Sequence, residues 1–136
     1  MTYRPLLWYQ TGIAASDTFT GISLLLAPLF TLRMMHIVVS DSTAVFISWI
    51  GSFVASVGIA CAYGVKLMIC GGCTKRLETV WLLTAISRGM VAAFLITNIA
   101  TGALTLTWFT VALFDGGCAL FQVVGLRREW LKYVIR

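Results

Sequence analysis

Four long apolar stretches constrain the fold of this chain more than any other feature. They run over about residues 6–32, 44–68, 79–100 and 106–126. About 20 consecutive apolar residues are enough for an α-helix to cross the hydrocarbon core of a bilayer. The sequence therefore predicts an all-α integral membrane protein with four transmembrane spans.

The composition and the short connections support a single domain over residues 1–136. Hydrophobic residues make up 60% of the chain and charged residues 11%, whereas soluble domains carry about 25% charged residues. The connection "TGALT" between the third and fourth spans is too short for anything but a tight hairpin. We therefore predict an antiparallel, up-down four-helix bundle. The first span is interrupted by "SDTFT", so we expect it to be retained and not cleaved as a signal peptide.

The basic residues are distributed unequally between the two ends of the predicted spans. With four spans, eight of them share one side, and only Arg33 lies on the other. The eight are Arg4, Lys66, Lys75, Arg76, Arg127, Arg128, Lys132 and Arg136. Positively charged loops stay in the cytoplasm, so both termini and the basic tail 127–136 are predicted to be cytoplasmic.

Three charged residues lie inside the spans, among them the arginine of "WLLTAISRGMVAAFLI". Measured along each helix from the basic side, Asp17 lies about 15 Å deep, Arg88 about 14 Å and Asp115 about 18 Å. A lone arginine at the centre of a span costs about 2.5–3.5 kcal/mol on insertion scales. We therefore predict that Arg88 pairs with Asp115, Asp17 or both inside the bundle.

Further polar residues lie on the same helix faces as these charges. Gln10 lies seven residues before Asp17, which is about two helical turns. Gln122 lies seven residues after Asp115, and Thr84 lies one turn before Arg88. The predicted intramembrane polar cluster consists of Gln10, Asp17, Thr84, Arg88, Asp115 and Gln122. It either fixes the helix register or serves as a site for proton transfer, an anion or a polar headgroup.

Two tryptophans repeat the same spacing relative to the central charges. Trp81 lies seven residues before Arg88, and Trp108 lies seven residues before Asp115. Tryptophan is enriched at membrane–water interfaces. The sequence therefore predicts that these two side chains mark opposite interfaces.

Small residues at steps of four predict where the helices approach closely, because small side chains allow membrane helices to pack backbone to backbone. The second span carries the longest such ridge, formed by Ser48, Ser52, Ser56, Ala60 and Gly64. Shorter ridges are Gly12 and Ser16 in the first span, Ala85, Gly89 and Ala93 in the third, and Ala112 and Gly116 in the fourth.

The cysteines do not form a convincing metal or redox site. "CGGC" places Cys70 and Cys73 in a predicted cytoplasmic loop, where a stable disulfide is disfavoured. Cys61 and Cys118 lie within spans, so four sulfur ligands cannot easily meet. We keep Cys70 and Cys73 as a candidate thiol pair. We expect no metal, no bound cofactor, no catalytic residues and no nucleic-acid partner.

The layout resembles the DoxX-like small membrane proteins of bacteria. The resemblance is carried by "TGISLLLAPLFTLRMM" in the first span, the central arginine of the third, and "DGGCALFQVVGLRREWL" in the fourth. It implies a protein of the bacterial cytoplasmic (inner) membrane that accompanies a redox system, with a quinone as a candidate partner. Aspartate inside the first span departs from the pattern.

Two functions follow from these observations. The first is a non-catalytic accessory subunit of a larger membrane complex, which is redox- or quinone-linked if the resemblance holds. The alternative is an oligomeric transporter of a small solute, or a proton-coupled carrier, that uses Asp17, Arg88 and Asp115. The expected partners are the lipid bilayer and either another protein or further copies of this chain.

Overall fold

The computed structural model of the protein describes residues 3–133, and throughout that range the chain is helical or in turns and loops, with no strand. The α-helices are α1 (Tyr3–Leu26), α2 (Pro28–Met34), α3 (Ala44–Ile69), α4 (Thr74–Ala100) and α5 (Phe109–Arg127). Short 3₁₀ turns occupy Asp41–Thr43, Leu106–Trp108 and Trp130–Tyr133. The predicted all-α fold is confirmed.

Three helical segments are long and apolar enough to cross a membrane. They are Asp41–Ile69, Thr74–Ala100 and Leu106–Arg127, of 29, 27 and 22 residues. Each contains one of the predicted second, third and fourth spans. The helix α1 is not among the three, and its polar residues include Gln10, Asp17 and Thr18.

The predicted first span over 6–32 is not one continuous helix. The helix α1 ends at Leu26, and α2 starts at Pro28. Between them, Ala27 has a φ of −141° and a ψ of 64°. A proline ring clashes with the helical conformation of the residue before it, and Pro28 is well placed at the first position of the new helix.

The chain forms two compact units, Tyr3–Lys66 and a second that begins at Leu67. In the first unit, α1 and α3 approach each other at glycines. A Cβ atom on Gly51 would lie 2.7 Å from the amide nitrogen of Leu25, and Gly58 meets Thr18 more closely still. Gly21 of α1 meets Ala55 in the same way. The contacts run in opposite chain directions along the two helices.

The face of α3 that makes this approach does not include Ser52 and Ser56 of the predicted ridge, although Gly64 at the end of that ridge is buried. Ser52 and Ser56 are exposed, and their hydroxyls donate hydrogen bonds to the carbonyls of Ser48 and Phe53 in the same helix. The contact face is turned by about one residue, onto Gly51, Ala55 and Gly58. Glycine allows a closer backbone approach than serine, and this close approach selects the face. In α1, Gly12 and Ser16 are likewise exposed.

In the second unit, α4 and α5 pack along most of their lengths. Trp81 near the start of α4 contacts Gly125 near the end of α5, and Ala92 further along α4 contacts Gly116. This order is that of an antiparallel pair. Of the small residues predicted to line this contact, Ala85 and Ala112 are buried and Gly116 touches Ala92. Gly89 has no neighbour at the position of a Cβ atom, and Ala93 is exposed.

The long helices α1 and α4 bury side chains with one common spacing. The buried positions of α1 are Leu6, Gln10, Ile13, Ala14, Asp17, Gly21 and Leu24. Those of α4 are Leu77, Trp81, Thr84, Ala85, Arg88, Ala92 and Leu95. Each position in the second set lies 71 residues after its counterpart in the first. The central charge of each helix, Asp17 or Arg88, therefore occupies the same place in the pattern.

Candidate functional site

An ion pair joins α4 to α5 in the middle of both helices. Nη1 of Arg88 donates to Oδ1 of Asp115 at 2.6 Å. The Arg88 side chain is 3% exposed and that of Asp115 17%. The ring of Phe114 lies 5.6 Å from the guanidinium carbon, which adds a cation–π contact. The predicted pairing of Arg88 with Asp115 is therefore present, and Arg88 does not extend towards Glu78 at the start of the helix.

A hydrogen-bonded side-chain pair lies about one turn from the ion pair along α4. Nε2 of Gln122 donates to the hydroxyl oxygen of Thr84 at 3.0 Å. That hydroxyl in turn donates to the carbonyl of Val80 at 2.8 Å. Gln122 is fully buried, and its Oε1 has no hydrogen-bond partner within residues 3–133. The α4–α5 contact therefore includes an ion pair, an amide–hydroxyl pair and the buried acceptor Oε1 of Gln122.

Aromatic side chains close the end of this contact where α4 begins. Trp81 is fully buried, 6.2 Å from Phe121 between ring centroids, and it lies over Gly125. Trp130, in the turn after α5, packs on Phe121 at 5.4 Å. Trp81 was expected to mark a membrane interface, but it packs inside the helix pair because Gly125 leaves space for its ring.

The remaining predicted residues, Gln10 and Asp17, belong to the first unit. Gln10 is buried and donates from Nε2 to the carbonyl of Cys61 at 2.9 Å. Its Oε1 is a buried acceptor without a partner in the described part of the chain. Asp17 is 6% exposed and lies two turns further along the same face. That Asp17 joins Arg88 and Asp115 in one cluster stays a prediction.

The "CGGC" segment forms the turn between α3 and α4. Gly71 has a φ of +65°, a left-handed conformation that glycine adopts readily. The amide of Gly72 donates to the carbonyl of Leu67 at 2.8 Å, which is the Schellman ending of a helix. Cys70 and Cys73 are exposed and form no disulfide. Gly71 and Gly72 therefore end the helix α3, and the two thiols lie on either side of this turn.

No group of three or more histidine, cysteine, aspartate or glutamate side chains comes together among residues 3–133 in a way that could hold a metal ion. The α4–α5 contact contains a buried ion pair and a neighbouring amide. Such a pair can fix helix register, or it can bind a polar group if the pair separates.

The comparisons with known proteins give no family for this chain: no family model, no curated protein and no solved structure matches it. The resemblance to DoxX-like proteins thus rests on layout alone.

The sequence reasoning missed two features of the contacts. It overlooked Gly21, Gly51 and Gly58, which carry the closest helix approach in the first unit. Gly51 and Gly58 are seven residues apart and so share a helix face. This spacing could have predicted a close helix contact there. It also overlooked the common burial pattern of α1 and α4, which the sequence hardly signals because only three of the seven buried pairs are identical residues.

Proposed function

We propose that this protein is a non-catalytic accessory subunit of a larger complex in the bacterial cytoplasmic membrane. In this proposal the chain forms an antiparallel four-helix bundle, with the helix over 6–26 as the first span and both termini in the cytoplasm. Three segments with the length and composition of membrane spans support the location. The excess of basic residues on one side supports the orientation.

The Arg88–Asp115 pair is the observation that carries the accessory role. Its two charges lie 2.6 Å apart between adjacent helices, and the Arg88 side chain is almost fully buried. A buried ion pair of this kind fixes which helix faces meet and in which register. A group that acts on a substrate needs access to it, whereas only 3% of the Arg88 side chain is exposed. The geometry therefore favours a scaffold over a catalyst.

A redox- or quinone-linked complex is the class of partner that the DoxX-like layout suggests. The pair Cys70 and Cys73 lies on the proposed cytoplasmic side, and both thiols are exposed. We assign them no redox role in this proposal. Outward-facing apolar side chains such as Phe19, Phe53 and Phe94 would meet lipid or the partner chain.

Photo-crosslinking in intact membranes tests the accessory role directly. The tagged protein is photo-crosslinked in intact membranes from a probe placed at Ser52, on the outward face of α3, then purified and its adducts identified by mass spectrometry. We expect one unrelated membrane protein to be captured in stoichiometric amount. The same protein without the probe serves as the control for proteins that co-purify without being crosslinked. Capture of lipid alone, or of further copies of this chain alone, contradicts the accessory role.

A second function is favoured by the unpartnered buried acceptors. Oε1 of Gln122 and Oε1 of Gln10 both lack a hydrogen-bond partner among the described residues. Leaving a buried acceptor unpaired costs about 1–3 kcal/mol. A polar solute or a water molecule would supply the missing hydrogen bond. On this alternative the chain is an oligomeric carrier of a small solute or of protons that uses Asp17, Arg88 and Asp115.

Reconstitution distinguishes the carrier from the scaffold. The purified protein in proteoliposomes is tested for proton leak with an internal pH-sensitive dye. A flux that Gln122→Leu abolishes, and that the exposed control Thr79→Val leaves intact, would support the carrier. Proteoliposomes as tight as protein-free vesicles would support the scaffold.

A further inference from the structure

An open groove of about 640 Å³ lies where α4 begins and α5 ends. Its walls are formed by Lys75, Glu78, Thr79, Leu82, Leu126, Glu129 and Lys132. Two lysines and two glutamates give the groove no net charge, although its surroundings are basic. The groove is distinct from the Arg88–Asp115 pair, and none of its residues takes part in the proposed accessory role.

The wall that holds Glu129 and Lys132 is formed by the turn that follows α5. The chain turns back after α5 at Glu129, which has a φ of +54°. Trp130 then packs on Phe121, and Leu131 is 1% exposed. Nζ of Lys132 donates to Oε1 of Glu129 at 2.6 Å. The backbone of this wall therefore packs on α5, while the Glu129 and Lys132 side chains are more than half exposed.

The opposite wall offers two charges that are available to a ligand. Lys75 and Glu78 lie in the first turns of α4 and form no ion pair within the described range 3–133. Lys75 is exposed and Glu78 is half-buried. A cationic and an anionic group thus stand on neighbouring turns of one helix, facing the same cavity.

The order of side chains in the groove matches its place at a membrane boundary. The apolar stretches of α4 and α5 begin near Thr79 and end near Leu126. The charged residues lie beyond these points, while Leu82 lies within the apolar stretch. A ligand in the groove would meet charge at one end and hydrocarbon at the other.

We infer that this groove binds the headgroup of a zwitterionic phospholipid of the phosphatidylethanolamine class. Lys75 would hold the phosphate, Glu78 would accept hydrogen bonds from the ammonium group, and an acyl chain would run along Leu82 and Leu126. An anionic lipid would meet the same lysine, but it carries no ammonium group for Glu78 to bind. The balanced charge is therefore what selects a zwitterion.

The inference requires α4 and α5 to lie in a membrane, but it is independent of the accessory role. Native mass spectrometry of the full chain, in micelles doped with equal amounts of phosphatidylethanolamine and phosphatidylglycerol, measures which lipid is retained. We expect a one-lipid adduct dominated by phosphatidylethanolamine. Lys75→Ala should lower it about fivefold, and Lys75→Arg should retain it. Glu78→Gln should remove the preference between the two lipids.

Arg76→Ala is the matched control, because Arg76 has the same charge and neighbours Lys75 but does not line the groove. It should leave the adduct unchanged. Glycerophosphoethanolamine, which has the headgroup without acyl chains, should compete only weakly. Three results would overturn the inference: equal retention of both lipids by the unmodified chain, an equal loss in Arg76→Ala and Lys75→Ala, or full competition by the soluble headgroup. Loss of a protein partner in the crosslinking experiment would not bear on any of them.

Discussion

Gly51 of α3 and Leu25 of α1 are so close that a Cβ atom on Gly51 would lie 2.7 Å from the Leu25 amide nitrogen. Backbone cannot yield as a flexible side chain can, so the two helices must separate if any larger residue replaces Gly51. The approach of α1 to α3 therefore depends on glycine at this position and at Gly58.

Gly51→Ala should lower the stability of the detergent-solubilised protein by about 1–3 kcal/mol, the usual cost of overpacking. Gly89→Ala is the control, since a Cβ atom there has no neighbour within 4 Å and alanine favours the helix by about 1 kcal/mol. Thermal unfolding followed by circular dichroism measures both. A Gly51→Ala protein as stable as the Gly89→Ala protein would mean that α1 and α3 are not held at this distance.

Thr84→Val should destabilise the protein by about 1–3 kcal/mol, because it leaves the buried amide of Gln122 without its acceptor. Adding Gln122→Leu should restore most of the loss, since no polar group then remains unpaired. Thr79→Val, on the exposed side of the same helix, should have little effect. The same unfolding measurement applies, and a double variant less stable than Thr84→Val alone would show that the pair is not what matters.

Cysteine labelling of intact cells tests the orientation. In a Cys70→Ser, Cys73→Ser background, a membrane-impermeant thiol reagent should label Ala103→Cys, in the turn between α4 and α5, and should not label Thr74→Cys. Permeabilised cells provide the control, in which both positions should react. Labelling of Thr74→Cys alone in intact cells would reverse the orientation.

The double serine variant used as the labelling background also tests whether the two cysteines contribute to stability. Cys70→Ser with Cys73→Ser should leave the unfolding temperature unchanged, because both side chains are exposed and neither forms a disulfide. Gly71→Val is the contrasting change in the same turn. It should destabilise the protein, because Gly71 has a φ of +65° and valine rarely adopts this conformation. A large loss of stability in the serine variant would reveal a role for the thiols that the turn geometry does not explain.

The positions of the helices and the partner of Arg88 could be predicted because few alternatives satisfy the physics. Apolar runs of span length form helices, and a buried guanidinium needs a nearby carboxylate. Asp115 lies on the helix joined to α4 by a short turn, so its proximity followed from the hairpin. Depth along a helix says nothing about its rotation, so the sequence left Asp115, Asp17 or both as partners, and the pairing with Asp17 stays a prediction.

Helix rotation also explains what sequence reasoning got wrong. Ser52 and Gly51 differ by one position, which is about 100° around a helix, and only the packed structure decides which of them faces α1. Trp81 was assigned to an interface by residue type, but Gly125 on the facing helix opens a space that its ring fills. The break at Ala27 was readable from Pro28, and its effect on the first span was underestimated.

The proposed role of the Arg88–Asp115 pair is to hold α4 and α5 in register. A double-mutant cycle tests it most directly, with the unfolding free energy measured for Arg88→Leu, Asp115→Leu and the combination. Arg33→Leu, at an exposed arginine, controls for loss of a positive charge. We expect each single change to cost about 3–5 kcal/mol by stranding a buried charge, and the double variant to recover much of that loss. Single-variant costs that simply add in the double variant would contradict the pairing.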